Sequence, residues 1–189
     1  MILNPLVVGE NGRSDVFSMN VENRIVLLTG EIEDEMASSV ISQLLYLDNI
    51  GKETISLYIN SPGGSVSAGL SIYDVMQTLR SPVSTICLGR AASMAAVILS
   101  GGAKGKRLVL PHSEVMIHQP SGGMDGQTTD LLIAATHIAD IRLELNLLLA
   151  ENCEKQLGDV SSYTERDHWM NADEAVKFGI ADRIITKEE

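Results

Sequence analysis

Ser93 lies in the run Gly89-Arg90-Ala91-Ala92-Ser93-Met94-Ala95-Ala96, directly after the apolar stretch Val83–Leu88. A short apolar run reads as a strand, Gly89 as its end, and the small residues that follow as a tight turn into a helix. A serine at such a turn can present its hydroxyl beside first-turn N–H groups, which have no partner inside the helix. Those groups can hold a developing negative charge. Two further features follow apolar runs: Gly63-Gly64 after Ile55–Ile59, and His118 after Val115–Ile117. In a parallel α/β sheet the carboxyl ends of the strands line one crevice. A serine, a histidine and an unobstructed Gly-Gly turn are thereby expected on one edge. The chemistry open to them is acyl transfer, in which serine attacks a carbonyl while histidine takes its proton. The histidine in turn needs an orienting acceptor, usually a carboxylate.

Each feature also has a plain explanation. Ser93 reads equally as a small helix-start residue, His118 as a strand-end histidine satisfied by backbone, and Gly63-Gly64 as a turn. After Pro62, the glycine pair also leaves a backbone N–H unobstructed by side chains. The other histidines lack the strand-end position: His112 follows Pro111, His137 falls in a long helical stretch, and His168 follows Glu165-Arg166-Asp167. From residue pattern alone, no single carboxylate stands out as the histidine's partner.

Positioning these groups falls to alternating strands and helices. Arg24–Leu28, Ile55–Ile59, Val83–Leu88, Arg107–Leu110 and Glu114–Ile117 read as strands, and residues 1–20 as irregular. Helices are expected from Glu33 onward, with Met36, Val40, Leu44 and Leu47 at helical spacing, and over Ser67–Leu79. The alternation predicts an α/β fold with a mainly parallel sheet. Gln119–Gln127 is Gly-rich and polar, and Thr128–Lys155 is one long helical stretch. Leu131, Leu132, Ala135, Ile138, Ala139, Arg142, Leu145 and Leu149 mark a broad, mostly apolar face on it. Such a helix needs something to pack against, either another subunit or the chain's own core.

The chain of 189 residues is 44% hydrophobic, enough for one domain with a real core. Its formal net charge of −11, without a basic cluster beyond Lys104-Gly105-Lys106-Arg107, argues against nucleic-acid binding. Cys87 and Cys153 have no metal-ligand spacing and fit a reducing compartment. Met1-Ile2-Leu3-Asn4-Pro5 carries no signal-peptide pattern, and the apolar runs fall short of a membrane span. The expectation is a soluble, cytoplasmic protein without a membrane association.

Six stretches in order resemble the proteolytic-subunit family of the Clp protease (ClpP, peptidase S14). They are Tyr58-Ile59-Asn60-Ser61-Pro62-Gly63-Gly64, Ala91-Ala92-Ser93-Met94, Met116-Ile117-His118-Gln119-Pro120, Gly126-Gln127-Thr128-Thr129-Asp130, Thr164-Glu165-Arg166-Asp167 and Glu174-Ala175-Val176-Lys177-Phe178-Gly179. The match runs from about Arg24 to about Ile185. The resemblance implies a Ser93–His118–Asp167 triad, with Ser93 as nucleophile, His118 as general base and then acid, and Asp167 orienting the imidazole. It implies oxyanion donors at the backbone N–H groups of Gly64 and Met94. Substrate peptide would lie extended near Gly64-Ser65-Val66 and Ser121-Gly122-Gly123, added like a strand.

The implied fold is crotonase-like: a superhelix of strand–helix repeats forms a head, and a handle strand (Gln119–Gln127) and long handle helix (Thr128–Lys155) project from it. The implied organisation is an N-terminal axial segment, 1–20, and a single domain, 21–189, with the handle at about 119–155. Implied partners are copies of the chain, in heptameric rings stacked in pairs through their handles, together with unfolded protein substrates. A hexameric AAA+ unfoldase would use the ATP, and the chain itself would need no cofactor.

The chain departs from the family pattern in three places. Its N-terminal segment is short, and Val16–Val21 lacks the longer helix usual before the first core strand. Ala95 stands where the family has Gly, next to an oxyanion donor. Ser161-Ser162-Tyr163 replaces charged residues, while Glu165-Arg166, a pair that in the family links ring contacts to triad alignment, is kept. An active serine endopeptidase is the first expectation. The alternative is a weakly active structural or regulatory ring subunit that needs a paralogous partner. An acyl-CoA enzyme on the same fold is disfavoured by the Ser-His-Asp set.

Overall fold

The computed structural model describes residues 6–9, 12–123 and 125–186. The Met1–Pro5 segment used for the leader-peptide expectation lies outside them. Strands β1 (Leu6–Gly9) and β2 (Gly12–Asp15) pair antiparallel, and α1 covers Val16–Glu22. The described residues of 1–20 therefore form strands and a helix where an irregular segment was expected. A local cap explains the helix: Asp15 accepts from the N–H groups of Phe17 and Ser18 at the first turn.

The main sheet contains β3 (Ile25–Thr29), β4 (Ile55–Ser61), β5 (Val83–Ala92), β6 (Arg107–Val109), β7 (Glu114–Ile117), β8 (His168–Met170) and β9 (Arg183–Ile184). Its main path runs β3-β4-β5-β6-β9, with β7 attached to β5 and β8 to β7. All these pairings are parallel except β7 with β8. The helices are α2 (Asp34–Ile50), α3 (Val66–Thr78), α4 (Met94–Ser100), α5 (Thr128–Asn152), α6 (Leu157–Tyr163) and α7 (Ala172–Phe178). On α2, Val40, Leu44 and Leu47 are buried at the expected spacing, joined by Ala37.

β5 does not end at Gly89. It continues to Ala92 and changes partner on the way: Thr85–Cys87 pair with β6, whereas Arg90–Ala92 pair with β7. Gly89 sits between the two halves at φ +70°, a left-handed conformation that glycine adopts without steric cost. The glycine bends the strand instead of stopping it. Helix α4 follows, with all seven residues buried, so the residue at its start is anchored by a helix wholly inside the core.

α5 is long, as expected, and ends three residues early, at Asn152. Only Leu145, Asn146, Leu149 and Ala150 on it are buried. Its first half carries exposed Leu131, Leu132 and Ile133, the last two each 65% accessible. Among the described residues of Gln119–Gln127 no strand forms within the single chain. No helix among the described residues is long and apolar enough to cross a membrane.

Two local signals set the C-terminal region. Asn171 and Glu174 form a reciprocal capping box at the start of α7, and Gly179 ends that helix at φ +93°. Arg107, on β6, is 5% exposed and lies where three helices end. Its guanidinium donates to the Asn152 carbonyl at 2.8 Å, the Gly179 carbonyl at 2.9 Å and, more weakly, the Ser100 carbonyl at 3.5 Å. It also pairs with the Asp182 carboxylate at 2.5 Å. One cation thus answers the unpaired carbonyls after α4, α5 and α7, where the helix dipoles favour positive charge. Cys87 and Cys153 are both buried free thiols, and burial pushes each up to about 11.

Candidate active site

Strand β7 organises the site, because it lies between β5 and β8. On one side Ala92 pairs with Met116, and the Ser93 N–H donates to the Met116 carbonyl at 2.8 Å. On the other side the register is Val115 with Met170, Met116 with Trp169, and Ile117 with His168. Carried one step further, it sets His118 directly opposite Asp167, at cross-strand distance. The histidine at the end of β7 therefore falls between a serine from β5 and an aspartate from the turn before β8.

The side chains meet accordingly. Ser93 Oγ lies 2.8 Å from His118 Nε2, and His118 Nδ1 lies 2.9 Å from Asp167 Oδ1. An ionised carboxylate only accepts hydrogen bonds, so Nδ1 carries the imidazole proton. Nε2 is then bare and accepts the Ser93 hydroxyl proton. The His118 side chain is 25% exposed and that of Asp167 61% exposed.

Ser93 occupies φ +56°, ψ −124° as the residue preceding α4. A non-glycine residue there costs about 1–3 kcal/mol. The conformation also turns the hydroxyl away from the helix: Ser93 makes no side-chain cap bond to α4. Its backbone carbonyl instead receives the N–H groups of Ala96 and Val97. The hydroxyl is left to the histidine. Met94 is the first residue of α4, where backbone N–H groups lack intrahelical acceptors.

The Gly63-Gly64 turn packs against Ser93 and Ile32. A Cβ on Gly63 would come within 2.7 Å of the Ala92 carbonyl oxygen and of Ser93 Cβ. A Cβ on Gly64 would come within 2.7 Å of the Ile32 backbone nitrogen and would run into the Ile32 carbonyl oxygen. These glycines are demanded by close backbone approach. The Ile32 N–H donates to the Gly63 carbonyl and the Ser65 N–H donates to the Ile32 carbonyl, a bridge in which the Gly64 N–H has no acceptor among the described residues.

The remaining expected site residues are divided in place. Val66 joins Met94, Val97, Ile117, Leu145 and Leu149 in an apolar pocket beside Ser93 and His118. The Ser65 hydroxyl caps α3 through the Ala68 N–H. Ser121, Gly122 and Gly123 are exposed beyond Pro120 and pair with no strand among the described residues. Ala95 is fully buried in the first turn of α4.

Three contacts not foreseen from the sequence hold the turn that carries Asp167. The Thr164 hydroxyl, fully buried, donates to Asn146 Oδ1 at 2.9 Å. Glu165 pairs with Arg142 at 2.7 Å. Gln119 bonds to the backbone of both Thr164 and Glu165. A buried asparagine within an apolar helix was the legible hint, since buried polar groups need partners.

A Ser–His–Asp relay at the carboxyl edge of a largely parallel sheet, with a helix start and a Gly-Gly turn against the serine, has the make-up of a serine-hydrolase site. Comparison with known families narrows the class: the Clp protease family matches residues 9–188, nearly the whole chain. The chain belongs to that family and is a ClpP-family peptidase.

Proposed function

We propose that this chain is the serine endopeptidase subunit of an ATP-dependent Clp-type protease and cleaves unfolded polypeptides inside a closed oligomeric chamber. The observation that carries the reading is the unbroken sequence Ser93 Oγ, His118 Nε2, His118 Nδ1, Asp167 Oδ1, at 2.8 and 2.9 Å. In the forward step Ser93 Oγ bonds to the scissile carbonyl carbon while His118 Nε2 takes the hydroxyl proton. The charge that gathers on the carbonyl oxygen is met by the N–H groups of Gly64 and Met94. Removing one such donor typically costs about 10²–10³ in turnover. Asp167 stabilises the imidazolium, which then gives its proton to the leaving amine as the C–N bond breaks. Water repeats the sequence on the acyl-enzyme and restores Ser93. No cofactor takes part.

The substrate would lie extended along Gly64-Ser65-Val66 and Ser121-Gly122-Gly123, the latter segment becoming a strand as the peptide pairs with it. The surface beside Ser93 that a substrate side chain would meet is apolar, formed by Met94, Val97 and Leu149. The family's general habit is oligomeric assembly with ATPase partners. For this chain we infer heptameric rings stacked in pairs, a hexameric AAA+ unfoldase docked on them, and a cytoplasmic location. The exposed apolar half of α5, with Leu132 and Ile133, supports a ring-to-ring contact.

The test is labelling of the assembled protein by a fluorophosphonate probe, together with fluorogenic peptide cleavage and mass measurement on the same sample. Wild type is expected to be labelled and active, and Ser93→Ala neither. Absence of labelling in an intact double ring would refute the reading. The second reading, a subunit that becomes active only with a paralogue, draws on the exposure of Asp167, which leaves its alignment open to a neighbouring chain. Mixing with a sister subunit would then raise cleavage, and full activity of the homo-oligomer would exclude it.

A further inference from the structure

We propose that Gln119 is a positioning residue that holds Asp167 in register with His118. The proposal rests on the peptidase reading above and adds a residue to it. Asp167 has little packing of its own: its side chain is 61% exposed, and among the described residues its carboxylate bonds to His118 alone. Its position must come from the backbone on either side. On the carboxyl side the β7–β8 ladder supplies this, through the Ile117–His168 pair. That ladder cannot continue along β7, because Pro120 has no N–H to give.

Gln119, the last residue before Pro120, takes over with its backbone N–H and its side-chain amide. Its backbone N–H reaches the Thr164 carbonyl at 2.6 Å, and its side-chain Nε2 reaches the Glu165 carbonyl at 2.9 Å. Asp167 is thereby held on its amino side as the ladder holds it on the other. Arg142 and Asn146 grip the same turn but tie it to α5. Among the described residues only Gln119 ties it to the strand that carries the histidine, so Gln119 sets the distance between acid and imidazole. Among charged groups nearby, the Glu165 carboxylate is engaged by Arg142, which leaves Asp167 as the carboxylate that acts on the imidazole.

The experiment compares wild type, Ser93→Ala, Gln119→Met and Gln119→Lys in the full assembled protein. Methionine keeps the length and removes the donor, and lysine restores an N–H donor of similar reach. A single neutral hydrogen bond is the quantity at stake, so Gln119→Met should lower kcat and the fluorophosphonate labelling rate about three- to tenfold, with KM unchanged. Gln119→Lys should recover most of the rate. An active wild type, an inactive Ser93→Ala and a Gln119→Met with unchanged rate would overturn the inference alone. So would a loss in Gln119→Met that tracks a lower melting temperature, with no recovery by lysine. A wild type as unreactive as Ser93→Ala would overturn the peptidase reading, and the inference with it.

Discussion

Replacing Arg107 by methionine tests whether one buried cation holds the helical ends together. The side chain is 5% exposed, and its partner Asp182 is 17% exposed. The substitution keeps most of the volume but strands the Gly179 carbonyl, leaves that of Asn152 with only the longer Lys104 bond at 3.3 Å, and leaves Asp182 without its counter-charge. Removing one member of a buried pair costs about 3–5 kcal/mol. In a domain of this size each kcal/mol lowers the melting temperature by about 2–4 °C, so the expected fall is about 6–20 °C. Calorimetry at matched subunit concentration measures it, because assembly adds to apparent stability by mass action.

The pH dependence supplies an independent check on the same pair. Burial alone would raise the Asp182 pKa, but the side-chain and backbone bonds from Arg107 outweigh it and hold the carboxyl below its ordinary 3.8. A lowered folded pKa means that this stabilisation is present above the unfolded value and is lost as pH falls through the folded one. The gap between wild type and Arg107→Met should therefore be full at neutral pH and narrow below pH 3.8. A variant melting within about 2 °C of wild type at neutral pH, less than about 1 kcal/mol by the same conversion, would refute the reasoning. So would a gap that does not change with acid.

Three other outcomes follow from the geometry. Gly64→Ala should cut peptide cleavage by at least about 10², because its Cβ meets the Ile32 backbone and the Gly64 N–H must move away from the carbonyl oxygen; steady-state kinetics on a fluorogenic peptide reads this. Ser93→Gly, inactive like Ser93→Ala, should melt higher than Ser93→Ala, since glycine relieves the positive φ that costs other residues about 1–3 kcal/mol. Leu132→Asp with Ile133→Asp should leave the fold intact by circular dichroism and shift the assembly to a smaller mass in analytical ultracentrifugation, since both side chains are exposed in the single chain.

The legible parts of this protein were those governed by neighbours in the chain. Alternating apolar runs and helical spacing showed a mainly parallel α/β sheet, and strand-end placement singled out Ser93, His118 and the glycine pair. Those signals are local, and so is the Asn171–Glu174 capping box. Asp167 is different: nothing within a few residues distinguishes it from other carboxylates, and family resemblance was needed to name it. It meets His118 because β7 and β8 pair antiparallel in one register. A slip of one residue would have turned a different side chain toward the imidazole.

The bend at Gly89, expected as a strand end, depends on a similar distant pairing. A glycine after an apolar run signals an end or a bend alike, and only the presence of β7 as a second partner for β5 decided between them. The clear N–H expected at Gly64 is unbonded among the described residues, and the approach of Ile32 is a second reason, invisible in the sequence, that no side chain fits there. Arg107 stood in the sequence as part of a short basic run, and the folded chain buries it among three helix ends. The sequence by itself thus determined which elements form and which residues sit at their ends, because periodicity and turn chemistry act over a few residues. The tertiary structure decided which of those ends meet, because strand register and backbone approach depend on segments far apart in the chain.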